Sequence, residues 1–218
     1  MIIDGKKIAR EIQAEIKSQV SGLPIVPVFC DILVGNDPAS RQYVNMKAKA
    51  AENVGFKFRR AEFPADISTQ NLIGEIKSIG GEKKICGLIV QLPLPVQIDK
   101  HQVLDAIDPR IDVDCTGKAN SDLFYQGKAY LEFPTAAAVM KILDHTGQDF
   151  AGQRFLVVGF GQLVGRPVSF LLKRRGYSVD VARSKTENIL ELIKNADVVI
   201  SAAGKPKLIT GEKLNPEP

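Results

Sequence analysis

The chain is short of several residue types and patterns, and each shortage narrows the possible functions. Only two histidines, His101 and His145, occur in 218 residues. That disfavours a histidine-rich metal site and a histidine-based triad, while a lone histidine base stays open. The three cysteines, Cys30, Cys86 and Cys115, are far apart and lack Cys-x-x-Cys spacing, and two stand inside apolar runs. They read as reduced, buried thiols of a cytosolic protein rather than disulfides or zinc ligands, and no metal is expected. No apolar run approaches the roughly 20 residues that cross a bilayer. The N-terminus is charged within its first turns, unlike a secretory signal, so a cytoplasmic protein without a membrane partner is expected. The net charge of +4 is mild and spread along the chain. Without a clustered basic patch, nucleic acid is not an expected partner, though an anionic small ligand is compatible.

What is present is an ordinary globular composition, 44% hydrophobic and 25% charged, over a length that suits one large domain or two small ones. Ile8, Ile12, Ile16 and Val20 form a helical stripe. Residues 25–35 read as a buried strand, and a helix starts at Asp37-Pro38. A second strand over 56–63 precedes a helix opened by Ser68, with Leu72, Ile73 and Ile76 on its apolar face. Residues 85–95 make a further buried strand that ends in Gln91 and a proline-stiffened loop. This rhythm predicts a parallel sheet with helices on its faces. It breaks over 108–132, which is polar and irregular, and a helix over 135–145 leads into a new series of strand, glycine loop, helix, strand, helix and strand. The expected fold class is α/β, with domains at 1–135 and 136–218, the second Rossmann-like.

Two constellations carry chemistry. Tyr43 and Lys47 lie one helical turn apart with Ser40 a turn earlier, so an aromatic, an amine and a hydroxyl share a stripe. Val44, Ala48, Ala51 and Val54 are the expected core face, offset from that stripe. The bland alternative is a solvated lysine on an amphipathic helix. The second constellation is Gly159-Phe160-Gly161 with Gly165, following a predicted strand and opening a predicted helix. The backbone from Gly159 through Phe160, Gly161, Gln162, Leu163 and Val164 is then a candidate cradle for a pyrophosphate at a positively polarised helix end. A plain strand-to-helix turn is the alternative. The next strand ends in Arg183 and Ser184 instead of an acid, which favours the 2′-phosphate of NADP and leaves NAD possible, a solvated strand end being the competing reading.

Four ordered segments together resemble one family. VGNDPASRQYVNMKAKAAENVGF, GLIVQLPLP, DVD at 112–114 and VVGFGQLVGRP are similar to bifunctional methylenetetrahydrofolate dehydrogenase/methenyltetrahydrofolate cyclohydrolase. The resemblance implies NADP-dependent oxidation of 5,10-methylenetetrahydrofolate, then hydrolysis of the methenyl product to 10-formyltetrahydrofolate. It implies tetrahydrofolate derivatives as ligands, a homodimer, and a cleft between two α/β domains. It places the catalytic lysine at Lys47, the folate-stacking tyrosine at Tyr43, and the glutamine that tunes the lysine at Gln91. Asp114 becomes the pterin-binding aspartate, with Ser40 and Pro93 beside the substrate. Three departures stand out: Cys115 replaces a family glycine, Phe160 and Gly161 replace an Arg-Ser pair, and Arg183 stands where the family often has histidine. The chain ends at NPEP, before the family's Pro-Gly-Gly-Val-Gly-Pro loop and final helix, so the second domain is expected to be incomplete there. A non-catalytic folate- or nucleotide-binding protein and another NADP-linked oxidoreductase are the alternative readings.

Overall fold

The structure, a computed structural model, describes residues 2–211 and Leu214. The NPEP end at 215–218 lies outside the described residues. The chain divides into two compact units, Met1–Leu131 and Glu132–Pro218.

The first unit opens with helix α1, Gly5–Ser21, capped by Asp4, whose carboxylate accepts from the backbone N–H groups of Lys6 and Lys7. The isoleucine stripe is only partly used: Ile8 is buried and Ile12 is exposed. Strand β1, Val28–Val34, leads to helix α2, Pro38–Asn53, which has Asp37 as its cap and proline in its first turn. Strand β2, Lys57–Phe63, helix α3, Thr69–Gly80, and strand β3, Ile85–Val90, complete a parallel sheet of order β2-β1-β3. Cys30, Ile32 and Val34 pack with Leu72, Ile76, Val103 and Leu104 into a buried cluster. By the two-residue period of a strand, Asp31 must therefore point to the opposite face.

Two expectations need correction. Helices α4, Lys100–Asp105, and α5, Lys118–Tyr125, were not foreseen, and the latter lies inside the stretch read as irregular. Both are short, and α5 is held by tertiary packing of Phe124 more than by an apolar stripe. The two cysteines in apolar runs also diverge, since Cys30 is buried and Cys86 exposed. The register shifts between Val28 and Phe29, which pair with Ile85 and Gly87. Cys86 is thus the extra residue of a bulge, and its thiol turns to the Val28 carbonyl at 3.3 Å.

The second unit runs through helix α6, Pro134–His145, strand β4, Arg154–Val158, helix α7, Gly165–Arg174, strand β5, Ser178–Ala182, helix α8, Ile189–Lys194, and strand β6, Val198–Ser201. Its parallel sheet has the order β5-β4-β6. In each unit the first strand is central and its neighbours lie on either side, so each sheet has a switch point at the carboxyl end of that strand, where α/β proteins place ligands.

Candidate functional site

In the first unit, α2 and the end of β3 bring Lys47 and Gln91 together across 44 positions of sequence, with Nζ donating to Gln91 Oε1 at 2.8 Å. Gln91 is pinned twice more. Its backbone N–H donates to the Ile32 carbonyl at 2.8 Å, and its Nε2 donates to the Leu92 carbonyl at 2.6 Å. Its amide oxygen is therefore left for the lysine. Lys47 Nζ also lies 5.3 Å from the centre of the Tyr43 ring, within cation–π range, and that ring is 55% exposed and free to stack on a ligand. The expected core face is present in part: Val44 and Val54 are buried, Ala48 and Ala51 half-buried. Ser40 lies with Val44 on the buried side, its N–H donating to Asp37 at 2.7 Å, away from the exposed Tyr43. Pro93, after a cis Leu92–Pro93 bond, is exposed.

The DVD segment divides its two acids between structure and chemistry. Asp112 is buried and spent on its own loop, accepting from the N–H of Thr116 at 3.2 Å and of Gly117 at 2.9 Å. Asn120 ties the same loop down through the Pro109 carbonyl at 2.8 Å. Asp114 is half-buried and accepts no hydrogen bond from the described residues. Burial pushes its carboxyl up to about 6, Lys47 pulls it back, and Asp112 and Asp31 add repulsion. A lone carboxylate kept partly dry suits a ligand that presents N–H donors. Cys115, next in sequence, has a φ of 58°, the left-handed region in which glycine is at ease. Its side chain is fully buried there.

One residue of this site escaped the sequence reading. Asp31 on β1 is wholly buried and forms an ion pair with Lys47. Burial raises its carboxyl, and the charge of Lys47 opposes that rise. The available signal was an acid in the middle of an apolar strand, VFCDILV, which requires a buried cation to offset it.

In the second unit, Gly159, Phe160, Gly161, Arg183 and Ser184 share a cavity of about 660 Å³ at the carboxyl ends of β4 and β5. Gln162, Leu163 and Val164 are not among its lining residues; Gln162 and Leu163 are exposed, and Val164 is the N-cap of α7. The glycines are required by close approach. A side chain on Gly159, which has a φ of 98°, would meet the Ala202 carbonyl oxygen at 2.6 Å, and one on Gly165 would meet the Gly159 oxygen at 2.0 Å. Among the described residues no side chain caps the start of α7, so its polarised end is open to an anion. Arg183 stacks over Phe160, its guanidinium carbon 4.3 Å from the ring centre, and Thr186 accepts from the Arg183 N–H at 2.8 Å. Phe160 thus holds the Arg183 guanidinium at the edge of the cavity. Lys205 and Thr186, which the sequence reading missed, line the same cavity, and among the described residues no carboxylate does. A glycine cradle, an open helix end and two cations fit a phosphorylated dinucleotide.

A larger open cavity of about 1000 Å³, around the ends of α3 and α4, contains none of these residues. Arg110 on its rim is paired with Asp108. Among the described residues no group of three or more His, Cys, Asp or Glu is placed to hold a metal, and no helix is long and apolar enough to cross a membrane.

Comparison with known proteins agrees with this division. Residues 3–114 match the family described as tetrahydrofolate dehydrogenase/cyclohydrolase, catalytic domain, and residues 134–218 match its NAD(P)-binding domain. The bifunctional protein FolD of Heliobacterium modesticaldum is 40% identical over 218 residues, covering 99% of this chain and 76% of that protein. Its counterpart in Lactobacillus delbrueckii is 38% identical over 216 residues, with 98% and 76% covered. Among solved structures, the FolD enzyme of Campylobacter jejuni superposes with a TM-score of 0.93 at 32% identity, covering 97% of this chain and 76% of that one. The Trypanosoma brucei enzyme, solved with NADP and an inhibitor, also gives 0.93, at 33% identity with 98% and 75% covered.

Proposed function

The chain belongs to the tetrahydrofolate dehydrogenase/cyclohydrolase family, and we propose how its own residues divide the two activities of that family. It is a folate one-carbon enzyme, a methylenetetrahydrofolate dehydrogenase and methenyltetrahydrofolate cyclohydrolase, with an NAD(P)-binding domain. NADP is the favoured cofactor and NAD a possible one. The observation that supports the residue assignment best is the Lys47–Gln91 bond beneath an exposed Tyr43 ring.

Asp114 accepts the adjacent N–H donors of the pterin edge in a two-toothed contact. Tyr43 stacks on the aminobenzoyl ring, which adds about 0.5–1.5 kcal/mol beyond burial. Gly159, Phe160 and Gly161 hold the pyrophosphate, and Arg183 with Ser184 takes the 2′-phosphate. When bound, the oxidised nicotinamide supplies the acceptor for a hydride from the methylene carbon. No acid or base is needed at that carbon, so the side chains contribute orientation. In the cyclohydrolase step, water adds its oxygen to the methenyl carbon and releases one proton. The bond from that carbon to N5 then breaks, its electron pair stays on N5, and Lys47 relays the hydroxyl proton to N5. Gln91 keeps Nζ aimed at the reacting carbon throughout.

The test is an assay of the folded protein with methylenetetrahydrofolate plus NADP, and separately with methenyltetrahydrofolate. Turnover of both is expected. Turnover of neither overturns the reading, and calorimetric binding of folate without turnover would make this chain a binding member of the family. The same reading takes the chain as a cytoplasmic protein with small-molecule rather than nucleic-acid ligands and as a homodimer, the last of which sedimentation of the purified protein tests.

A further inference from the structure

Asp31 has no part in the roles assigned above, yet a wholly buried carboxylate is costly to leave uncompensated. It is wholly buried in the central strand of its sheet. Its partners in register are Arg60 on β2 and Ile89 on β3. The charged groups that face it are Lys47 from α2, Arg60 from β2 and Asp114 from the loop at 112–117, with Cys30 adjoining it in the chain. Neither Asp31 oxygen has a correctly directed hydrogen-bond donor among the described residues, so its compensation is ionic. Lys47 Nζ supplies it at contact distance, while the Lys47 side chain is 19% exposed. Arg60 is partly engaged elsewhere, with Asn45 and with Glu62.

We propose that Asp31 is a positioning residue for the cyclohydrolase step, a buried anion that holds Lys47 Nζ against Gln91 and supplies the counter-charge of its ammonium. The inference rests on the function proposed above. The lysine can reach solvent only by abandoning an unpaired buried carboxylate, so Nζ stays at the mouth of the site. The hydrogen bond to Gln91 fixes one direction of the ammonium, the charge of Asp31 holds it from the buried side, and the exposed side is left for substrate or water. Asp31, wholly buried beneath Lys47, acts through that lysine.

Asp31→Asn keeps the shape and removes the charge. The expected result is a cyclohydrolase kcat lowered about tenfold or more, with KM for the methenyl substrate within about twofold and a changed pH profile of kcat. The cyclohydrolase should lose more than the dehydrogenase. Thermal unfolding should stay close to that of wild type, because Lys47, still bonded to Gln91 and 19% exposed, can turn to solvent once its buried partner is neutral. In parallel, an amine-specific acylating reagent, followed by mass spectrometry of the Lys47 peptide, should modify Lys47 faster in the variant. Asp31→Val, a strand-favouring apolar replacement, carries the same expectations if the asparagine variant does not fold. An unchanged kcat and pH profile would overturn the proposal, as would a proportional loss of both activities with a lower unfolding temperature. If wild type turns over neither substrate, the functional reading falls. The labelling difference then decides the positioning role alone: faster labelling of the variant supports it, and equal labelling overturns it.

Discussion

The substrate half and the cofactor half of this protein are built on opposite principles. In the first unit the site is made of side chains, with Lys47 held by Gln91 and Asp31 before any ligand arrives and Asp114 left to meet one. In the second the site is made of backbone. Gly159 and Gly165 permit approaches that any side chain would block, and the cations at the rim, Arg183 and Lys205, are exposed. The first arrangement fixes a reactive amine and keeps Asp114 poised above its ordinary range. The second offers shape and positive charge to a large anion. Substitutions should therefore cost activity in the first unit, and fold or cofactor affinity in the second.

The sharpest break of that contrast is Lys47→Met, for which cyclohydrolase turnover should fall at least about 100-fold while folate binding persists. Wild-type hydration rates in a stopped-flow assay would remove the lysine from the mechanism. Next is Gly165→Ala, whose new side chain collides with the Gly159 oxygen at 2.0 Å. It should destabilise the second unit by roughly 1–3 kcal/mol and weaken dinucleotide binding, read by thermal unfolding with and without NADP.

Asp114 tests the first unit from the side of stability. Its carboxyl is raised to about 6, so the folded state holds more protons than the unfolded one between the ordinary aspartate value and about 6. Stability should fall as pH rises through that window, and folate affinity should rise, because the ionised form is the acceptor. Asp114→Asn should then be more stable than wild type at pH 7, by on the order of 1–3 kcal/mol, yet bind folate more weakly. A variant less stable than wild type would contradict the account. The smallest effect is expected for Arg183→Ala, a rise of about tenfold in KM for NADP that exceeds any rise for NAD. Equal changes for both cofactors would place Arg183 away from the 2′-phosphate.

Much of this was legible in the sequence because it depends on local periodicity. The Tyr43–Lys47 spacing, the Asp37-Pro38 helix start and the glycines after β4 are short-range patterns, and short-range geometry follows from residue type. Helices α4 and α5 were missed because short helices without a stripe owe their existence to neighbours. Ser40 shares the spacing of the stripe, yet the docking of α2 on the sheet turns it inward.

Residue type and spacing were enough for the α/β rhythm, the glycine-dependent turn after β4 and the identity of the groups able to do chemistry. The tertiary structure alone decided which groups meet. Asp31 and Lys47 are an apolar strand's lone acid and a helix's polar lysine until β1 and α2 are packed face to face. Their pairing is set by burial and distance, quantities that no spacing along the chain encodes.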